Sequence, residues 1–222
     1  MNNPASRVLT AIEQDQTQLP IFAQRLAEIA GKIGGWSGPN HYLFFSSVLN
    51  ELREVKNILI LGVYMGRDIA IMSDSCKRDL MIVGVDKFED SPCEDWPDKN
   101  IKSWTEAGFG TAPSVELAIK NLEARLPANH QFRIIQSDDA VWLENVVGKF
   151  DFIYVDTSHD KATVVRQFAQ IKKLCHENTL VAGDDYENIV PTWGVKDAVT
   201  ECTKQHHVLA DCIWWCNGRD IK

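Results

Sequence analysis

Five short apolar runs, spaced by helical patterns, constrain this chain more than any other feature. They cover residues 57–62 (NILILG), 80–86 (LMIVGVD), 132–136 (FRIIQ), 150–156 (FDFIYVD) and 179–184 (TLVAGD). None shows clean alternation of apolar and polar residues. Continuous runs of this kind suit strands buried on both faces of a parallel sheet. Helical periodicity fills the intervals, at about 67–77, 114–126, 160–176 and 194–206. Strand alternating with helix implies an α/β sheet with right-handed crossovers. Residues 207–216, with Trp214 and Trp215, read as one or two closing strands whose direction the pattern leaves open.

Before the first run the chain is helical. Residues 5–33 carry apolar positions at helical spacing, and Pro20 divides them into two helices. Gly34, Gly35, Gly38 and Pro39 mark a loop, and a third helix runs from about 40 to 54. The expected organisation is an N-terminal helical segment, 1–55, and an α/β domain, 56–222. The apolar sides of the first helices have two outlets, the sheet or another copy of the chain, and a homo-oligomer through them is expected. A chain of 222 residues can bury enough surface to fold without disulfides or a metal.

Charge and cysteine usage exclude several classes. Thirty-one acidic against 23 basic side chains give a net charge of −8, which disfavours a nucleic-acid binder held by its overall field. No stretch approaches eighteen apolar residues, and the N-terminus has no basic segment followed by an apolar run, so neither a membrane span nor a secretory signal is expected. The six cysteines form no Cys-x-x-Cys pair, and reduced thiols in a cytoplasmic protein are the expectation. Cys212 and Cys216, in a Trp-rich segment, read as packing residues.

Open parallel sheets bind ligands beyond the carboxyl ends of their strands. Those ends are Gly62 to Gly66, Asp86, Ser137-Asp138-Asp139, Asp156 to His159, and Asp184-Asp185. Four of the five carry carboxylates, although like charges repel and burial penalises each. The first loop, Gly62-Val63-Tyr64-Met65-Gly66, has the form Gly-x-x-x-Gly. It lets the chain turn sharply and brings a helix N-terminus to a ligand, but it lacks the dinucleotide fingerprint, which argues against an NAD enzyme. Asp86 follows about twenty residues later, where an acid accepts hydrogen bonds from the two hydroxyls of a ribose. A helix cap or a turn acid is the alternative.

The sharpest constellation is Asp156, His159, Asp184 and Asp185. One crossover helix separates the strands that Asp156 and Asp184 end, so these strands are expected neighbours, ~4.8 Å apart. Three carboxylates would then converge, and without a cation they would raise one another's pKa. An oxygen-only donor set with room for water and substrate suits Mg²⁺. His159 is placed to serve as a general base. The alternative is that Asp156 or Ser158 caps the next helix and His159 lies on the surface.

The run FDFIYVDTSHD, the helix after it, LVAGDDY and WGVKDAV together resemble the class I S-adenosylmethionine-dependent methyltransferases over about residues 56–216. The nearest group is the bacterial small-molecule branch with strand ends D-x-S-H and G-D-D-Y, which includes mycinamicin-type sugar O-methyltransferases and cephalosporin hydroxylase-associated proteins. The resemblance implies a Rossmann-like α/β fold: a mostly parallel seven-stranded sheet with helices on both faces. It implies S-adenosylmethionine bound by Gly62, Tyr64, Gly66, Asp86, Ser137, Asp138 and Asp156, with Trp142 near the adenine. It further implies Mg²⁺ on Asp156, Asp184 and Asp185, and His159 as base. The acceptor would be a small-molecule hydroxyl, a catechol or a sugar diol. Two positions depart from the pattern: Ile60 stands where the family usually has an acid, and Asp68 where it has Ser or Thr. A catalytically silent cofactor- or metal-binding scaffold of the same fold is the second reading, and a nucleic-acid methyltransferase is disfavoured because Asp156-Thr157-Ser158-His159 replaces Asn/Asp-Pro-Pro-aromatic. Residues 87–113, rich in aromatics, proline and glycine, are the expected substrate-side insertion, with a second wall at Trp36, Ser37, Gly38, His41 and Tyr42.

Overall fold

The computed structural model describes residues 3–90, 100, 102–106, 111–187, 190, 193–210 and 212–222. Three helices open the chain: α1 (Pro4–Asp15), α2 (Leu19–Ala30) and α3 (Pro39–Glu51). The break between the first two is a 3₁₀ turn at Gln16–Gln18, and Pro20 sits in the first turn of α2, where its missing N–H costs nothing. Then follow β1 (Asn57–Leu61), α4 (Arg67–Ser75), β2 (Leu80–Asp86), α5 (Val115–Glu123), β3 (His130–Gln136), α6 (Asp139–Asn145) and β4 (Phe150–Val155). The chain ends with α7 (Lys161–Leu174), β5 (Cys175–Gly183), α8 (Val195–Cys202), β6 (His207–Leu209) and β7 (Ile213–Asn217).

The seven strands form one sheet in the order β3-β2-β1-β4-β5-β7-β6. The first five are parallel, as their apolar runs require. The closing strands are two: β7 runs antiparallel to β5 and inserts between β5 and β6, while β6, antiparallel to β7, points the same way as the first five. Helices cover both faces. Ile58, Ile60, Phe152, Tyr154 and Trp215 pack under α1 to α5, while Leu59, Leu61, Ile153, Val155 and Trp214 pack under α6 to α8. Period-two alternation within each strand therefore feeds two cores.

Sequence periodicity missed two features. Helix α6 spans only seven residues, too few for a helical repeat to register, and its signal is the Asp138 side chain accepting from the Val141 N–H as N-cap. Strand β5 begins four residues before its apolar run, because Cys175 to Asn178 lie at the sheet's margin. A register shift between Phe150 and Phe152 accommodates them.

The N-terminal helices share the sheet's core. Ala5 N donates to Asn217 Oδ1 (3.0 Å), and Trp215 Nε1 donates to the Ala5 carbonyl (3.1 Å), which ties α1 to β7. Arg7 pairs with Glu51 and Glu54, pinning α1 against the end of α3 and the loop beyond it. Helix α3 is thereby seated with its first turn over the carboxyl ends of the strands. No helix among the described residues is long and apolar enough to cross a membrane.

Candidate active site

The sheet order reverses between β1 and β4, and the loops after these strands diverge there to leave a crevice. Leu61 pairs with Val85 on one side and with Val155 on the other. Asp86 and Asp156 therefore stand one residue beyond the register, symmetrically about β1.

Gly62 (φ +90°) turns the chain out of β1, and a Cβ there would stand 1.7 Å from the Asp156 carbonyl oxygen. Gly66 (φ +91°) is the N-cap of α4, and Tyr64 between them also has positive φ, 50°. Asp86 holds this loop. Its Oδ2 accepts from the Val63 N–H (2.7 Å) and the Tyr64 N–H (2.8 Å), and its Oδ1 accepts from the Phe88 N–H (2.6 Å). Ser137 N donates to the Asp86 carbonyl, and Asp138, besides capping α6, pairs with Lys87 at 2.8 Å. The Lys87 ammonium holds the Asp138 carboxyl below its ordinary range. Trp142 lies half-buried on α6. The Tyr64 hydroxyl is buried with no hydrogen-bond partner among the described residues. An orphan of this kind at a glycine loop fits a ligand that brings its own polar group.

Trp36 packs against Tyr64 (4.9 Å between centroids) and Trp104 (5.2 Å), so the wall before α3 meets the 87–113 insertion over the glycine loop. Trp96 and Phe109 of that insertion lie outside the described residues.

On the other side of β1, Asp156, Asp184 and Asp185 bring carboxylate oxygens within 4.8 Å of one another. Asp160, not Asp156 or Ser158, caps α7 by accepting from the Thr163 N–H (2.8 Å), so no capping role explains Asp156. Burial, and then the charges of Asp184, Asp185 and Asp68, push the Asp156 carboxyl well above its ordinary value. Burial also works against the charge of Asp184. Hydrogen bonds from His41 and Cys212 outweigh it and hold that group below the usual range. Asp185 sits at φ 59°, a left-handed conformation that costs a non-glycine residue about 1 kcal/mol or more and clusters at functional sites. Three close carboxylates, backed by a half-buried fourth at Asp68, form a hard oxygen donor set whose repulsion falls most heavily on Asp156, which fits a divalent cation such as Mg²⁺.

His159 donates from Nε2 to Asp185 Oδ2 (2.9 Å), and its ring stacks on Trp193 at 3.7 Å and 11°. The Gly194 N–H binds the His159 carbonyl (2.7 Å), which fixes the loop before α8 against the same residue.

Two residues here carry more than sequence reasoning gave them. His41, read as a wall residue, reaches Asp184 Oδ2 with its Nε2 at 2.7 Å. The Gly38 N–H points at His41 Nδ1 (3.1 Å), so the neutral ring with its hydrogen on Nε2 makes both bonds. Burial disfavours the His41 cation. The bond to Asp184 and the surrounding acids favour it more, and raise its pKa to about 9. The proton so gained would displace the Gly38 cap. Cys212, read as packing, places its thiol on Asp184 Oδ1 (2.6 Å). Its neighbour in sequence, Ile213, starts β7, so only the insertion of β7 beside β5 brings the thiol there. Cys216 is buried as expected.

The departures from the family pattern also find places. Ile60 is fully buried in the core beneath α1 to α5, where an acid would be stranded. Asp68 is half-buried at the start of α4, takes a hydrogen bond from the Ser37 hydroxyl, and has its pKa raised by desolvation despite the nearby His41.

A family model described as a methyltransferase domain matches residues 59–186. The O-methyltransferase NovP is similar in structure with a TM-score of 0.61 at 13% identity, over 91% of this chain and 98% of that one. An O-methyltransferase from Bacillus cereus, in complex with S-adenosylhomocysteine, gives 0.52 at 18% identity over 90% of each chain. TomG from Streptomyces achromogenes, an O-methyltransferase of tomaymycin synthesis in complex with S-adenosylmethionine, gives 0.51 at 17% identity over 89% of this chain and 87% of that one. At such identities the likeness is one of fold. No curated protein matches the chain.

Proposed function

This chain belongs to the methyltransferase-domain family, and on that premise we propose that it is a Mg²⁺-dependent O-methyltransferase, moving a methyl group from S-adenosylmethionine to a hydroxyl of a small molecule. The convergence of Asp156, Asp184 and Asp185 at the strand-order reversal carries the reading. Repulsion among these groups makes a divalent cation their natural partner.

S-adenosylmethionine, when bound, supplies the methyl group on a sulfonium. Gly62, Tyr64 and Gly66 would line its amino-acid end, Asp86 and Asp138 its nucleoside, and the Tyr64 hydroxyl would gain a partner. Mg²⁺, when bound by Asp156, Asp184 and Asp185, orients an acceptor oxygen and lowers its pKa. Transfer is an in-line displacement, so the chain's main task is alignment. His159 is assigned the acceptor's proton. Its Nε2–H donates to Asp185, which ties the ring to the carboxylate cluster. The stack on Trp193 holds the ring plane. Trp36 and Trp104, over the loop, suit a flat or ring-shaped acceptor such as a catechol or sugar diol. Asp68, the half-buried acid nearest the loop in sequence, is proposed to take the ammonium that an acid at position 60 would otherwise meet.

Calorimetric titration of S-adenosylmethionine and its demethylated product, with and without Mg²⁺, tests the cofactor. A screen of catechols and sugar diols with labelled donor then tests transfer. Asp184→Ala should cut transfer by about 10²–10³-fold, the loss seen when one group stabilising developing charge is removed. Activity that survives both chelation and this substitution defeats the metal reading. A second reading, a silent cofactor- or metal-binding scaffold, draws support from Asp86, whose two oxygens already hold three backbone amides. Absence of cofactor binding under either condition would favour it.

A further inference from the structure

His41, Asp184 and Cys212 form a second cluster beside the carboxylates. Each offers one ligand atom, and these atoms lie within 4.8 Å of one another. They come from three separate elements: the first turn of α3, the end of β5 and the turn before β7. The donor set is an imidazole nitrogen, a carboxylate oxygen and a sulfur. We propose that these three residues form a distinct cation site for a borderline divalent ion such as Zn²⁺, sharing Asp184 with the oxygen-only site.

Donor chemistry separates the two sites. Mg²⁺ prefers six hard oxygens and dehydrates reluctantly, whereas Zn²⁺ accepts four ligands and binds imidazole and thiolate well. Three protein donors leave a fourth position for water or another ligand. Tyr154 gives an independent sign that something polar belongs here. Its side chain is fully buried, and its hydroxyl has no hydrogen-bond partner among the described residues. Tyr154 pairs with Ala182, two residues before Asp184, so its side chain rises on the same face of the sheet as Asp184, and a polar ligand held there would meet an unsatisfied group. Cation binding forms a sulfur–metal bond and sends the thiol proton to solvent, since a coordinating thiol is deprotonated outright. Coordination through His41 Nε2 would send the Nε2 proton of the charged ring to solvent and keep the hydrogen on Nδ1, where the Gly38 N–H has no lone pair to meet.

The inference goes beyond methyl transfer, and its test needs no turnover. Co²⁺ serves as the optical probe, because a thiolate ligand produces a sulfur-to-cobalt charge-transfer band in the near ultraviolet. The full-length wild-type protein should show that band, Cys212→Ser should lose it, and Asp185→Asn should keep it. Competition against a chromophoric chelator should show Zn²⁺ affinity falling at least ~10-fold in both Cys212→Ser and His41→Gln. In the wild-type protein, Zn²⁺ but not Mg²⁺ should shield Cys212 from alkylation, read by mass spectrometry, which requires no variant to fold. A missing band, a band that survives Cys212→Ser, or one lost with Asp185→Asn would overturn the proposal. The last result would assign Co²⁺ to the carboxylate site and leave the Mg²⁺ reading standing.

Discussion

Asp86 and Asp156 are twins by position and opposites by environment. Each follows the last residue that its strand pairs with β1, at the same level. Asp86 has its charge met by the N–H groups of Val63, Tyr64 and Phe88. Asp156 is half-buried beside Asp184, Asp185 and Asp68, and its pKa climbs in response. The first carboxylate is a part of the loop it stabilises. The second is stabilised by nothing this chain supplies in proportion to its charge. The same residue type, at equivalent points of one sheet, thus serves once as scaffold and once as a demand for a cation.

The largest effect should come where the halves touch. Gly62→Ala would drive a Cβ into the Asp156 carbonyl, and a loss of ~4 kcal/mol or more is expected, with both halves failing together. Urea denaturation checks it, and a native midpoint would break the idea of a shared backing. Asp86→Ala should cost ~1.5–3 kcal/mol, by equal amounts with and without Mg²⁺, because charge-assisted bonds to the loop are lost whatever the metal does. Dependence of that loss on Mg²⁺ would merge the two halves.

Asp156→Asn should act in the reverse direction. A carboxyl whose folded pKa lies above its unfolded value binds more protons in the native state, so its contribution is favourable at low pH and is lost as the pH rises through the folded pKa. Without metal, the stability difference between wild type and Asp156→Asn should therefore shift in favour of the wild type on acidification from neutral pH toward the ordinary carboxyl value of 3.8. Asn removes that slope and raises the neutral-pH melting temperature by ~2–4 °C for each kcal/mol of relieved repulsion, while abolishing stabilisation by Mg²⁺. A lower melting temperature in the variant would mean that Asp156 is already satisfied. The smallest effect belongs to Trp193→Ala. Removing a stacked ring worth ~0.5–1.5 kcal/mol should lower kcat up to about tenfold, with KM little changed. An unchanged kcat would free His159 from its supporting role.

Much of this arrangement is legible in the sequence. Strands buried on both faces advertise themselves as unbroken apolar runs, and the acids at their ends stand out because burial discourages them. The approach of Asp156, Asp184 and Asp185 follows from a single crossover between adjacent strands. His41 and Cys212 were hidden for the opposite reason. His41 precedes Asp184 by 143 residues and Cys212 follows it by 28. Their approach depends on where α3 lies across the sheet and on β7 slipping between β5 and β6, and neither leaves a local pattern. The Asp86 loop contacts were hidden too, since an acid that binds backbone amides looks the same in sequence as one that binds a ribose.

The ties between Ala5 and the last strand bear on how the molecule is made. Ala5 of helix α1 is synthesised 210 residues before its partner Trp215 and 212 residues before Asn217. Through most of synthesis the buried side of α1 has no completed surface to dock on, and the cluster around Asp184 lacks the thiol from the closing hairpin. Docking of the first helix and closure of the last hairpin thus belong to one late event, so a nascent chain stalled before β7 would expose both.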